Sequence, residues 1–266
     1  MLELVGATVR RGDRDVLRRV NLCVGPATRM ALVGPNGSGK STLFTTLAGA
    51  LELREGEVRV AGKALGRGRA ELREHRRRVQ LVVQDPDDQL LSADVAQDVS
   101  FGPYNLGLPE DEVRGRVQDA LELFDITQLA GRATHQLSYG ERKRVVSAGA
   151  IALRPSVLLL DEPSAGLDEV GTAGLLTALA RLHERGTAIV LATHDVDLAY
   201  QWADEVAVLV DGELTQTDAA TGLGDPELMR VAHLRVPHAI TVGRALGLDP
   251  LPRTVDAALR THKGQP

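Results

Sequence analysis

The chain has 266 residues and a net charge of −5, which argues against a general nucleic-acid-binding protein. Its length suits one large α/β domain, alone or with a small appendage, and its composition, 43 % hydrophobic and 25 % charged, is that of a globular protein. A single cysteine excludes an internal disulfide, and no apolar run is long enough for a bilayer span or a signal peptide, so we expect a cytosolic location.

The first third of the chain shows patterns of two kinds of strand. Residues 2–9 and 18–24 alternate apolar and polar positions, which predicts an antiparallel edge sheet, and residues 57–61 predict another short strand. Residues 29–33 are apolar and predict a buried strand. Residues 41–51 carry leucines at i, i+4 and i+8, which predicts a helix directly after a short connection.

That connection lies within LVGPNGSGKST, which runs from Leu32 to Thr42. The spacing of its glycines, lysine and serine matches the phosphate-loop pattern GxxxxGK[ST]. Glycines let several N–H groups turn inward to form an anion site, a lysine reaches the β- and γ-phosphates, and a serine can ligate Mg²⁺. The sequence therefore predicts nucleotide binding by Gly34, Asn36, Gly37, Ser38, Gly39, Lys40, Ser41 and Thr42.

The middle of the chain reads mostly as helix. The basic run at residues 67–78 favours a solvated helix face, with contact to a partner or an anionic surface as the alternative. Residues 78–84 predict a strand that Pro86 ends. Residues 85–155 show no clear strand, and residues 110–124 have one apolar face, so we expect an inserted helical subdomain.

Strands and helices alternate again in the last third, which predicts a parallel sheet. The expected elements are strands at 157–160, 187–193 and 205–210 and helices at 170–185 and 196–202. The predicted fold is thus α/β: a P-loop NTPase core with a parallel sheet, an antiparallel β edge subdomain and an inserted helical subdomain. We divide it into a domain of residues 1–236 and a C-terminal extension of residues 237–266, expected to be a small cap or partly disordered.

Acidic and polar residues follow the predicted strands. Asp161 and Glu162 end a buried strand, where α/β sheets place their ligands. Asp161 fits a Mg²⁺ ligand acting through water, and Glu162 fits the base that orients and polarises an attacking water. A solvated strand end is the alternative. His194 could contact a γ-phosphate or be structural, and Gln84 by itself is uninformative.

A second anion site is predicted at LSYGERKRV, residues 137–145. Ser138 reads as a helix N-cap, with Glu141 in a capping box. That pattern does not explain Gly140, because a glycine in a helix costs stability unless something must approach its backbone. A helix N-terminus with a free hydroxyl can hold an anion. Two phosphate-reading sites in one chain suggest that they meet across a dimer.

The ordered motifs GPNGSGKST, Gln84, LSYGE, LLLDEP, SAGLD and His194 resemble those of the ATP-binding cassette ATPases over residues 1–220. The resemblance implies two cassettes stacked head to tail, with two Mg²⁺–ATP in the interface. It implies a trans signature of Ser138, Tyr139, Gly140 and Glu141, in which Ser138 and Gly140 cap the γ-phosphate. It also implies a dimer contact at Asp168, catalytic roles for Glu162, His194 and Gln84, and Mg²⁺ ligation by Ser41, Gln84 and Asp161.

Residues 84–113 and the stretch GERKRVVSAGAIALRP resemble the ATPases of energy-coupling-factor importers, especially the cobalt/nickel type. The expected protein is the ATP-hydrolysing subunit of such an importer, peripheral on the cytoplasmic face of the membrane. Its expected partners are a second ATPase subunit, identical or paralogous, and an integral membrane protein, with no nucleic acid. Alternatives are a vitamin importer, a soluble cassette acting on DNA or ribosomes, and a non-hydrolytic ATP sensor, against which Glu162 beside Asp161 argues.

Two positions depart from the family pattern. Arg10 or Arg11 stands where an aromatic residue often stacks on adenine; a guanidinium can stack on a ring, and Arg11 is the predicted base contact. Tyr139 replaces one of the two glycines usual in LSGGE, so one close backbone approach must be looser or differently angled.

Overall fold

The computed structural model describes residues 1–264, which form ten β-strands and eleven α-helices. They are arranged as two sheets, with the helix Lys40–Leu47 packed between them and other helices over the far face of the larger sheet. In the part of the chain that the structure describes, none of the helices is both long and apolar enough to cross a bilayer.

The predicted antiparallel edge sheet is confirmed. Its four strands lie in the order β2-β1-β4-β5, with β1 at Leu2–Arg11, β2 at Arg14–Val24, β4 at Glu55–Val60 and β5 at Lys63–Ala64. Leu2, Leu4, Leu17 and Leu22 are buried on the face toward the second sheet, while alternate residues of β2 are exposed. This alternation is the period of a sheet with one face in the core.

The second sheet has the order β10-β9-β3-β8-β7-β6. All neighbouring pairs are parallel except β9 and β10, which are antiparallel. The strands are β3 Arg29–Val33, β6 Val79–Val82, β7 Val157–Asp161, β8 Ala188–Ala192, β9 Glu205–Val210 and β10 Glu213–Asp218. The central strands β3, β7 and β8 are buried almost throughout, which confirms the parallel sheet. The sequence did not predict β10, because its polar residues lie on an exposed edge.

The helices are α1 Lys40–Leu47, α2 Arg69–Arg78, α3 Val95–Asn105, α4 Glu110–Leu123, α5 Tyr139–Ala152, α6 Glu169–Glu184, α7 Val196–Trp202, α8 Ala219–Gly224, α9 Pro226–Val231, α10 His238–Ala245 and α11 Val255–His262. The helix predicted over 41–51 was too long, because Gly49 adopts a left-handed φ of 68° after α1 ends. Residues 85–155 contain α3, α4 and α5 and short 3-10 turns at Pro86–Asp88, Thr127–Leu129 and Thr134–Gln136, as expected of a helical subdomain. Helix α2 presents exposed arginines, which agrees with a solvated basic face.

Two hydrophobic clusters cover the two faces of the parallel sheet. Along β3, Met30 and Leu32 join the cluster shared with the antiparallel sheet and α1, whereas Ala31 and Val33 join the cluster beneath the other helices. Successive strand residues point to opposite faces, so a strand covered on both sides is apolar without interruption. This packing holds the carboxyl ends of β3, β7 and β8 at one edge.

Helices α10 and α11 follow residue 237, where a small cap or partial disorder was expected. The Arg253 guanidinium donates to the backbone oxygens of Tyr200 at 2.9 Å and Ala203 at 2.8 Å, so this part packs on the end of α7. Residues 265 and 266 of the predicted extension lie outside the described residues. The division at residue 236 remains our proposal.

Candidate nucleotide-binding site

The phosphate loop leaves the middle of the parallel sheet, since β3 lies between β8 and β9. Gly37 and Gly39 have φ values of 79° and 109°, in the left-handed region that favours glycine. A Cβ atom on Gly34 would lie 2.2 Å from the backbone oxygen of Leu209 in β9. The loop therefore needs glycine for conformation at two positions and for close packing at a third.

Lys40 opens α1 and its side chain turns back into the loop. Its ammonium donates to the carbonyl oxygens of Gly34 at 2.7 Å and Pro35 at 3.1 Å. The residue is buried, and burial lowers the pKa of Lys40 against the raising effect of the nearby Glu162 and Asp161 carboxylates. The Ser38 hydroxyl is also buried and has no hydrogen-bond partner among the described residues. Buried donors at a helix start fit a phosphate chain.

The acids at the end of β7 face this loop. Asp161 and Glu162 are both buried, and burial raises the pKa of Asp161, while a hydrogen bond from the Ser41 hydroxyl lowers it. The Ser41 hydroxyl of α1 and the carboxylates at the end of β7 thus lie together beside the loop. Hard oxygen donors of this kind are the ligands that Mg²⁺ prefers. Glu162 has a left-handed φ of 47°, and its N–H donates to the Ala192 oxygen at 2.9 Å.

His194 follows β8 and completes this edge of the sheet. Its Nδ1 lies 3.0 Å from both carboxylate oxygens of Glu162. The imidazole side chain is 66 % exposed whereas that of Glu162 is 9 % exposed. The histidine therefore stands at the mouth of the site and orients the buried carboxylate behind it. Which ring nitrogen carries the proton follows from this contact: a neutral ring must hold it on Nδ1 to donate.

Most of the predicted residues, though not Gly34 and Ser38, line a cavity of about 480 Å³, within the size range of small-molecule sites. Its lining includes Asn36, Gly37, Gly39, Lys40, Ser41, Thr42, Gln84, Asp161, Glu162 and His194, joined by Val16 and Ala165. The structure does not bring Arg11 to this lining, and Arg10 donates to Asp15 at 2.9 Å. Val16 holds the position beside the loop instead, and an adenine contact by Arg11 stays a prediction.

The residues of the predicted trans signature lie elsewhere. They line an open cleft of about 870 Å³, separate from the phosphate loop, together with Asp168. The capping box is present: the Ser138 N–H donates to the Glu141 carboxylate at 2.7 Å, and the Glu141 N–H donates to the Ser138 hydroxyl at 3.3 Å. Asp168 caps α6 by accepting from the Gly171 N–H at 2.7 Å.

Sequence reasoning missed Lys143, and it missed a contact that the predicted signature residue Tyr139 makes between these regions. Lys143 is buried, and its ammonium donates to backbone oxygens of the β7 loop, defined here as residues 162–168. The Tyr139 hydroxyl donates to the Gln84 oxygen at 3.3 Å. Lysine is scarce here, four residues against 27 arginines, and that scarcity was a usable signal for Lys143 as it was for Lys40.

The family model for the ABC transporter domain matches residues 17–165. The cobalt import ATP-binding protein CbiO of Rhodobacter capsulatus is 47 % identical, covering 92 % of this chain and 91 % of the relative. An energy-coupling factor transporter ATP-binding protein, EcfA of Methanocaldococcus jannaschii, is 43 % identical over 84 % of this chain and 80 % of its own. These relatives confirm the resemblance to energy-coupling-factor ATPases.

Solved structures agree with these sequence relatives. CbiO1 of Clostridium perfringens, described as part of the CbiONQ transporter complex, superposes with a TM-score of 0.78 at 36 % identity, covering 91 % of this chain and 98 % of that one. A dimeric cassette in a post-hydrolysis state, bound to ADP and phosphate, superposes at 0.74 with 27 % identity over 82 % of this chain and 99 % of its own. The chain therefore belongs to the ABC transporter family, as an ATP-binding subunit whose ATPase activity is coupled to transport.

Proposed function

We propose that this chain is the ATP-hydrolysing subunit of a cobalt or nickel importer, working as a dimer on an integral membrane partner. The observation that carries the ATPase part is the convergence of Lys40, Ser41, Asp161, Glu162 and His194 on one cavity at the end of the parallel sheet. The metal cargo is supported by the identity with the Rhodobacter cobalt import protein.

Each residue of the cavity has a proposed part in hydrolysis. Lys40 and the loop amides would bind the phosphates, and Ser41, Asp161 and Gln84 would hold Mg²⁺, Asp161 through water. Mg²⁺ would neutralise charge on the β- and γ-phosphates. Glu162 orients and polarises the attacking water, and His194 keeps the Glu162 carboxylate in place while its exposed ring contacts the γ-phosphate. Such an arrangement catalyses mainly by positioning and by electrostatic stabilisation.

We further propose that the second half of each ATP site comes from another chain. Ser138 and Gly140 line a cleft that does not include the phosphate loop, so within one chain they cannot cap a nucleotide held by Lys40. A head-to-tail partner would bring a second signature helix over the γ-phosphate and place Asp168 in the contact. The dimeric relative bound to ADP and phosphate supports this arrangement.

One part of the surface suits a contact with the membrane partner. Leu91 is 68 % exposed, and Phe101 and Tyr104 are about half exposed, all within twenty residues or so of Gln84. Exposed apolar and aromatic side chains of this kind mark contact surfaces. We propose that the integral membrane partner docks here, on the cytoplasmic face of the membrane, and that closure of the dimer moves it.

The hydrolysis and dimer proposals share one experiment. Glu162→Gln keeps the side-chain shape and removes the base, so hydrolysis should fall about 10²–10⁴-fold while ATP still binds. The uncleaved ATP should then hold a closed dimer with Mg²⁺ that ADP does not support, as measured by size-exclusion chromatography. Ser138→Arg in the Glu162→Gln background should bind ATP and remain monomeric. An ATP-dependent dimer of that double variant contradicts the trans site.

The cargo is tested separately, because this subunit does not contact it. Deleting the gene should lower uptake of labelled cobalt or nickel, and expression of the wild-type chain should restore it. Expression of the Glu162→Gln variant is the matched control and should not restore uptake. The EcfA relative favours a second candidate, an energy-coupling-factor ATPase for another cargo such as a vitamin. Unchanged metal uptake with reduced vitamin uptake would select it.

A further inference from the structure

Lys143 lies in α5, two residues after the capping box, and its side chain runs beneath the β7 loop. The ammonium donates to the backbone oxygens of Glu162 at 2.7 Å, Ala165 at 2.8 Å and Pro163 at 3.4 Å. Among the residues that the structure describes, no carboxylate forms an ion pair with it. Its three N–H groups are thus used by three carbonyl oxygens of one loop.

The loop that Lys143 binds has a backbone that needs support. Glu162 has φ of 47°, a conformation that is strained for a residue other than glycine and persists where the surroundings impose it. On one side the Glu162 N–H is held by Ala192 at 2.9 Å. On the other side the Glu162 carbonyl is held by Lys143. The direction of the Glu162 carboxylate therefore depends on the two contacts that set its backbone.

The Tyr139 ring packs against both the Lys143 ammonium and the β7 loop. The Lys143 ammonium lies 5.3 Å from the centre of the Tyr139 ring, a distance at which a cation and an aromatic face attract. A Cβ atom on Gly166 would lie 2.8 Å from that ring, so the β7 loop and the tyrosine are in close contact. The ring thus covers the ammonium and shields its contacts with the loop carbonyls from water.

We propose that Lys143 is a positioning residue for hydrolysis: by holding the backbone of residues 162–165 it directs the Glu162 carboxylate toward the attacking water. The inference rests on the proposed role of Glu162. Lysine suits the task better than arginine, because a compact ammonium can serve three convergent carbonyls in a buried space while a planar guanidinium cannot. Burial lowers the pKa of Lys143, against the raising effect of the Glu162, Asp161 and Asp85 charges, which is consistent with a desolvated ammonium at this place.

The test separates positioning from general support of the fold. Lys143→Met keeps the length of the side chain and removes all three donors. Mg²⁺–ATP hydrolysis by the full-length chain should fall about 10–100-fold in kcat, the usual effect of a small misplacement of a catalytic group. The Kd for ATP should stay within threefold, because Lys143 does not line the nucleotide cavity. Ser147→Ala is the matched control: this buried hydroxyl on α5 donates to the Lys143 oxygen at 2.8 Å and leaves the β7 loop alone, so kcat should hold.

A double-mutant cycle then asks whether Lys143 acts through Glu162. In the Glu162→Gln background, Lys143→Met should change the residual rate by less than twofold. A further 10–100-fold fall there, or an unchanged kcat for Lys143→Met alone, overturns the inference. Glu162→Gln alone reports on the proposed function: if that variant hydrolyses ATP normally, the role of Glu162 is wrong and Lys143 has nothing to position.

If Lys143→Met does not fold, Lys143→Gln can be used for the same test. The amide supplies two donors, so this variant should retain a larger fraction of the wild-type kcat than Lys143→Met, again with Kd for ATP unchanged. In the Glu162→Gln background it should have no further effect. A loss of ATP affinity in proportion to the loss of rate would show a structural role and contradict positioning.

Discussion

The phosphate loop after β3 and the β7 loop are built in the same way around two different lysines. Each follows a buried parallel strand and contains left-handed residues: Gly37 and Gly39 in one loop, Glu162 and Gly166 in the other. In each, a buried ammonium donates to backbone oxygens, and burial lowers its pKa. Sharply turned backbone at a strand end leaves carbonyl oxygens that need donors, and a lysine supplies them without a bulky head group.

The two loops differ in where their lysine comes from. Lys40 is five and six residues from its acceptors and begins the helix that continues the loop. Lys143 is 19 to 22 residues from its acceptors and lies on α5, which precedes β7 in the chain. The first loop is therefore a local unit, whereas the second takes its shape only when α5 packs against it. A local unit suits binding, and a loop held from another helix can transmit a change in that helix.

The largest expected effect is on ATP affinity, which should depend on Lys40 and not on Lys143. Lys40→Ala should weaken ATP binding by about 3 kcal/mol or more, roughly 150-fold, because charge-assisted hydrogen bonds to phosphate are lost. Calorimetric titration of ATP with Mg²⁺ measures this. Lys63→Ala, which removes an exposed lysine of β5, is the control and should bind normally. Equal losses of ATP affinity for Lys40→Ala and Lys143→Met would break the distinction between a binding lysine and a positioning lysine.

A second prediction compares one glycine of each loop. Gly34→Ala should destabilise the protein by about 1–3 kcal/mol, because the added Cβ meets backbone in β9, which no side-chain change can relieve. Gly166→Ala should cost a similar amount, but there the added Cβ meets the Tyr139 ring. Tyr139→Ala should therefore reduce the cost of Gly166→Ala to the left-handed strain alone, about 1 kcal/mol.

Thermal unfolding midpoints of the single and double variants measure that difference. Gly174→Ala is the control, since nothing lies within 4 Å of a Cβ at this helical position and alanine is the better helix former. A Gly34→Ala cost that Tyr139→Ala also relieves would show that the loops are not independent. A Gly166→Ala cost that persists in the Tyr139→Ala background would show that the ring is not what restricts this glycine.

The smallest effect concerns how each strand begins. Asp204 accepts from Arg29 at the start of β3 at 2.8 and 2.9 Å, and this hydrogen bond lowers the pKa of Asp204 below its ordinary 3.8. A carboxylate with a lowered folded pKa stabilises the fold above about pH 4 and loses that contribution as pH falls through the folded value. The Asp204 and Arg29 side chains are 49 % and 34 % exposed, so screening limits the contribution to below about 1 kcal/mol.

The start of β7 is held instead by a neutral contact, from the Ser156 hydroxyl to the Arg78 oxygen at 3.2 Å. Asp204→Asn should therefore lower the unfolding midpoint equally at pH 7 and pH 5 and have less effect at pH 3. Ser156→Ala should lower it by about the same amount at all three values, since no charge is involved. A constant effect of Asp204→Asn down to pH 3 would mean that its contribution is not electrostatic.

The parts of the fold that were predicted well depend on repeating local patterns. The strands β3, β7 and β9 and the helix α7 follow from apolar runs and periodicity, and their bounds agree with prediction within one residue. The predictions were wrong at positions where a single residue or an exposed edge departs from the repeating pattern. Gly49 ended α1 earlier than its leucine spacing indicated, and the edge strand β10 lacks an apolar face. Helices α10 and α11 were missed because their order depends on contacts with α7, such as that from Arg253.

The sequence by itself determined the phosphate loop, the acidic pair after β7 and the capping box of Ser138 and Glu141. In each case the interacting groups lie within about six residues of one another, so their spacing encodes their geometry. Only the tertiary structure decided that Lys143 supports Glu162 and that Val16 rather than Arg11 lines the cavity. These contacts depend on which helix packs over which strand end. That packing is set by the burial of two separate apolar faces, and no short stretch of residues specifies it.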